Sequence, residues 1–127
     1  MKAAVAPTST ATDRARVLTT AVLRAADRLK VTGRDLASIL GVSAPTVTRM
    51  RKQQFQLEPG TKAFELGALF VRFYRALDAI TGGDPQVCVA WLRNDNAALG
   101  GRPLDLIKTI AGLTDGVAYL DARRAPL

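Results

Sequence analysis

Apolar residues recur at helical intervals along almost the whole chain. Leu18, Val22, Ala25 and Leu29 are spaced four, three and four apart, which puts them on one face of a helix. Thr12 or Asp13 can cap its start, and Thr32-Gly33 breaks it after about Lys30. A short helix is predicted from Arg34 to Leu40, with Leu36, Ala37 and Leu40 apolar and Gly41 as its stop. Ser43 caps a third helix to about Gln53, and Gln54 to Gly60 reads as a linker. Thr61 to Ile80 is the most apolar stretch. Its charges (Lys62, Glu65, Arg72, Arg75, Asp78) cover only half the helical circumference, so most of its sides must be buried. The pattern fits both a subunit interface, in which Phe70 and Phe73 take part, and a central core helix.

Gly82-Gly83 ends that helix, and Asp84-Pro85 starts another with a capping acid and proline in the first turn. It carries Val87, Cys88, Trp91 and Leu92 on one face and fades near Asn94. Gly100-Gly101 marks a turn. Pro103 opens a helix with Leu104, Ile107 and Ile110, ended by Gly112, and a last helix runs from Thr114 or Asp115 to Arg123. No alternating run marks a strand. The expected fold is all-α, with about seven helices. Residues 1–11 read as a flexible tail, 12–57 as a first helical region, 58–83 as the central apolar helix, and 84–127 as a second small domain.

Composition narrows the chemistry. The chain has 127 residues, one cysteine (Cys88) and no histidine. That excludes an internal disulfide, Ser-His-Asp or Cys-His catalysis within one chain, and most zinc sites. No catalytic residue, metal or cofactor is expected. Apolar runs such as Leu66 to Val71 are far short of a membrane span, and the N-terminus does not read as a secretory signal, so a cytoplasmic protein is expected.

The net charge is +7 and lies entirely in the front half. Residues 1–57 hold ten Lys or Arg against three Asp, whereas residues 58–127 hold eight of each sign. A polyanion partner for the front half alone would suit that asymmetry.

The segment from Gly33 to Lys52, GRDLASILGVSAPTVTRMRK, has helix-turn-helix spacing. Ala37 is small where the second helix crosses the first, Gly41 tolerates positive φ in the turn, and Val47 is branched on the inner face. Leu36, Leu40, Val42 and Met50 fill the other inward positions. The second helix would enter the major groove of double-stranded operator DNA. Ala44, Pro45, Thr46, Thr48, Arg49, Arg51 and Lys52 then face outward. Thr46, Thr48 and Arg49 are placed to reach base edges, and Ser43 to meet a phosphate at the helix start. Arg34, Arg51 and Lys52 read as phosphate contacts. The competing reading is a solvated basic face on a helical packing unit.

Trp91 to Val117 reads WLRNDNAALGGRPLDLIKTIAGLTDGV. Trp91-Leu92, Asn96-Ala-Ala98-Leu99-Gly100-Gly101, Pro103, Asp105-Leu106 and Gly112 resemble the C-terminal domain of the Xre/MbcA/ParS antitoxins. Ile107 departs from the family's usual leucine, and the match departs again after Leu120. The resemblance implies a partner, a RES-domain toxin that consumes NAD⁺, whose active site the protein blocks, and repression of its own operon. Trp91, Asn96, Gly100, Gly101 and Pro103 are readable as structural, through core packing, a bonded turn and a helix start. The toxin contact then falls to the last helix and tail, through Tyr119, Arg123, Arg124 and Leu127. A homodimer is expected, since paired helix-turn-helix units read half-sites one DNA turn apart. The alternatives are a stand-alone transcriptional regulator whose second half only dimerises, and a scaffold acting through protein contacts. An enzyme is disfavoured, because Asp84, Asp95 and Asp105 each have a capping or turn role available.

Overall fold

The computed structural model of the chain describes residues 9–124. They form α1 (Ser9–Arg28), α2 (Gly33–Leu40), α3 (Ala44–Arg51), α4 (Lys62–Ile80), α5 (Pro85–Arg93), α6 (Pro103–Leu106) and α7 (Ile110–Arg124). Among the described residues the only non-helical pairing is an isolated bridge between Asn96 and Gly101. The fold is all-α.

Helix α1 starts at Ser9, so residues 9–11, assigned by sequence to the tail, are helical. Its inner face is Ala15, Thr19, Val22, Ala25 and Ala26, with Leu29 buried just beyond its end. Lys30 turns the chain with φ 54°, and the Val31 amide closes the helix end on the Ala26 carbonyl at 2.8 Å. Thr32 then caps α2 by accepting the Asp35 amide at 3.1 Å.

The linker after α3 is pinned rather than free. The Thr19 hydroxyl accepts the Leu57 amide at 2.9 Å and donates to the Ala15 carbonyl at 2.7 Å. Leu57 is thereby held in the core, and α4 begins five residues later, after Thr61 accepts the Phe64 amide.

Helix α4 is the centre of the molecule and touches α1, α2, α5 and α7. Phe70, Phe73, Ala76 and Leu77 are all fully buried. Phe70 and Phe73 therefore belong to the protein's own core and offer no surface to a second subunit. Truncating either ring to alanine would cost about 3 to 5 kcal/mol. Two glycines let the neighbours approach. A Cβ at Gly67 would meet Leu57 and Val22 side chains at 3.1 Å, and one at Gly116 would meet the Phe73 ring at 3.0 Å.

The chain after Gly101 differs from the sequence expectation. The helix opened by Pro103 lasts one turn, and α7 starts at Ile110, four residues before Thr114. Gly112 does not end a helix but sits in the first turn of α7. A Cβ there would collide with the Leu106 carbonyl oxygen, so α7 folds back onto the end of α6 through a gap that admits only glycine. Ile110, expected on the apolar face of the short helix, is exposed.

Candidate functional site

Helices α2 and α3 pack through Leu36, Ala37, Ile39, Leu40, Val47 and Met50, all buried. Gly41 turns between them with φ 71°, and the Val42 amide bonds the Ala37 carbonyl at 3.0 Å. This is a helix-turn-helix, with α3 as the second helix.

On α3 the side chains of Ala44, Pro45, Thr48, Arg49 and Arg51 are exposed, as are the flanking Ser43 and Lys52. Thr46 is not. It is only 8% exposed, and its hydroxyl shares a 2.9 Å bond with Ser43 and accepts the Arg49 guanidinium at 3.0 Å. The expectation that Thr46 faces base edges is corrected. The 3.6-residue turn carries it to the buried side of α3, and its polar atom is occupied inside the cap. Ser43 accepts the Thr46 amide at 3.2 Å, which satisfies one of the free amides at the start of α3. Arg49 is thus held over the helix start by Thr46. Thr48 bonds back to the Ala44 carbonyl at 3.4 Å. Arg51 pairs with Asp27 of α1 at 3.0 Å, a brace between α1 and α3 that local patterning does not reveal. Arg34 and Lys52 are exposed, and neither makes an ion pair among the described residues.

The second half is built around a bonded turn. The Asn96 amide donates to the Gly101 carbonyl at 2.9 Å, and the Asn96 side chain accepts the Leu99 amide at 3.1 Å. Gly100 has φ 86°, a conformation that disfavours any side chain. Gly101 has no positive φ and instead packs against Leu106. Pro103 is buried at the first position of α6. Arg102 grips Asp105 through two bonds of 2.9 and 2.8 Å, and that contact holds the Asp105 carboxyl below its usual range.

Trp91 is half-buried, its ring 6.0 Å from Phe73 on one side and 6.4 Å from Tyr119 on the other. The guanidinium of Arg123 lies over the Tyr119 ring. These four residues run from the core to the surface of α7. Arg124 is exposed at the end of α7, and Leu127 lies outside the described residues. Cys88 is buried and its thiol lies 3.0 Å from the Thr81 hydroxyl. Among the described residues no cluster of three or more His, Cys, Asp or Glu could hold a metal, and no helix is long and apolar enough to cross a membrane.

Side-chain contacts tie this half to the helix-turn-helix and to the turn before it. Lys108 pairs with Asp35 of α2 at 3.0 Å, both largely shielded, and Arg93 donates to the Lys30 carbonyl at 2.6 Å.

Comparison with known families gives two consecutive matches. Residues 10–72 match the antitoxin Xre-like helix-turn-helix domain, and residues 76–125 match the antitoxin Xre/MbcA/ParS C-terminal toxin-binding domain. No curated protein matches the sequence. The first match contains the α2–α3 pair, and the second contains the Asn96 turn and α7. The chain belongs to the Xre/MbcA/ParS antitoxins, proteins of toxin–antitoxin systems that join a helix-turn-helix DNA-binding domain to a toxin-binding domain.

Proposed function

We propose that the protein neutralises a RES-domain toxin that degrades NAD⁺, by covering the toxin's active site, and represses its own operon from a double-stranded operator. The observation that carries this reading is the succession of the two matched domains, DNA-binding then toxin-binding, along nearly the whole described chain. The working complex is a cytoplasmic homodimer, whose two α3 helices read half-sites about 34 Å apart.

Arg49 is the residue for base edges, since arginine binds guanine through two bonds and Thr46 already orients its guanidinium. Thr48 and Pro45 line the same exposed face, while Arg34, Arg51, Lys52 and the start of α3 at Ser43 meet phosphates. On the toxin side, Tyr119 and Arg123 present an aromatic face with a cation on it, backed by Trp91. Aromatic and arginine side chains of this kind dominate protein interfaces. Arg124 extends the cationic edge. Leu127 completes the proposed contact.

A stand-alone regulator is the alternative, and the match of residues 76–125 to a toxin-binding domain speaks against it. The test is co-expression with the product of the neighbouring open reading frame. The neighbour alone should drain cellular NAD⁺, and co-expression should restore it and yield a stable complex. A neighbour that binds without affecting NAD⁺ would keep the antitoxin and discard the RES assignment.

A further inference from the structure

An open groove of about 620 Å³ runs between α1, α4 and α7. Its floor is apolar. Val17 is 58% exposed on α1, with Leu18, Phe64 and Ala68 beside it. Val17 is a β-branched residue more than half exposed on a helix whose buried residues face the other way, and with its neighbours it forms an apolar strip open to solvent. The rim is cationic. Arg14 lies 5.4 Å over the Phe64 ring, and Arg75 and Arg124 line the groove without an ion pair among the described residues. The single acid, Asp121, is taken by Arg72 at 2.7 Å.

Charge selects the occupant. A second copy would bring the same cationic rim against itself, which like charges oppose. Residues 1–8 of the chain contain Lys2 and no carboxylate, so they match the rim no better. Nucleic acid would satisfy the arginines but would leave the apolar floor in contact with phosphate and water. A protein segment with apolar side chains flanked by carboxylates satisfies both. One wall of the groove, with Asp121 and Arg124, belongs to the toxin-binding domain. We infer that the toxin-binding surface does not stop at α7 but continues across this groove onto α1, where it takes an apolar, acidic-flanked segment of the toxin.

The inference rests on the toxin-binding reading, and its test separates the two. The product of the neighbouring reading frame is immobilised and dissociation of the full-length protein is followed. Val17→Asp and Arg75→Glu are compared with the wild type, with unfolding curves showing that both exposed substitutions leave the fold intact. Dissociation should be roughly tenfold faster for each, since interface changes act mainly on the off-rate. The dependence on salt should weaken for Arg75→Glu. Wild-type binding with unchanged off-rates in both variants overturns the groove and leaves the toxin reading standing. Absence of wild-type binding removes both. Unchanged toxin binding with a lost dimer in sedimentation, or with weakened operator binding, assigns the groove to a second copy or to DNA and overturns the inference.

Discussion

The guanidinium of Arg123 lies 4.7 Å above the centre of the Tyr119 ring, one helical turn back on α7. An exposed pair of this kind contributes about 0.5 to 1 kcal/mol. Its greater effect is to hold the cation at a fixed place on the surface. Arg123→Ala should therefore leave the unfolding midpoint nearly unchanged and speed release of the toxin. Tyr119→Ala should do both, because the ring also stacks on Trp91, and its loss should lower stability by about 1 to 3 kcal/mol in urea titrations. A toxin off-rate unchanged in Arg123→Ala would remove that residue from the interface.

Thr46 and Arg49 should act as one unit on DNA. Arg49→Ala is expected to weaken operator binding by about 1 to 3 kcal/mol and relax the preference for one base pair. Thr46→Ala frees the guanidinium and should reproduce part of that loss without touching DNA. In a double-mutant cycle measured by gel shift, the two effects should fail to add. Additivity would mean that the 3.0 Å bond does not organise Arg49.

Lys52→Ala should weaken binding to all sequences alike and lower the salt slope by about one counterion. A change in sequence preference would instead give Lys52 a role at the bases.

Gly112→Ala should be far more damaging than Gly100→Ala, since a Cβ there meets the Leu106 carbonyl. The expected loss is about 3 kcal/mol or more, as α7 must move off α6. Gly100→Ala, strained by its positive φ but surrounded by open space, should cost about 1 to 2 kcal/mol. Equal unfolding free energies for the two would contradict the close approach at Gly112.

Asp105 gives a pH dependence of known sign. The hydrogen bond from Arg102, with the charges of Arg102 and Lys108, holds its folded pKa below the ordinary value of 3.8, against a smaller opposing desolvation. The folded protein thus favours the carboxylate, and the stabilisation is complete above the unfolded pKa and lost as pH falls through the folded one. The pair is exposed, so the effect is small. Arg102→Gln should flatten the acid limb of the stability curve below about pH 4 and leave neutral pH nearly unaffected.

The helix-turn-helix was legible in the sequence because its signals are local. Ala37, Gly41 and Val47 stand at fixed spacings, and helical periodicity located all the main elements. Thr46 was misplaced because a face read from spacing carries an error of one position, and its hydroxyl found partners in the cap. Gly112 was misread because a glycine that ends a helix and one that lets another segment pass look alike in sequence. Phe70 and Phe73 fit two readings in sequence because their burial depends on elements distant in the chain, such as Trp91 of α5 and Gly116 of α7 against Phe73. Asp27 with Arg51, Lys108 with Asp35, and Thr19 with Leu57 join distant parts of the chain and have no local signature.

Phe73 falls between the two family matches, which end at residue 72 and resume at 76, both inside α4. One uninterrupted helix therefore supplies the core of both halves, and Phe73 meets Trp91 and Gly116 from it. A cut where the two matches meet would divide this helix and part each half from residues it packs on. A chimaera that takes its operator preference from one parent and its toxin preference from another must inherit α4 whole, together with an acid at 35 for the lysine at 108.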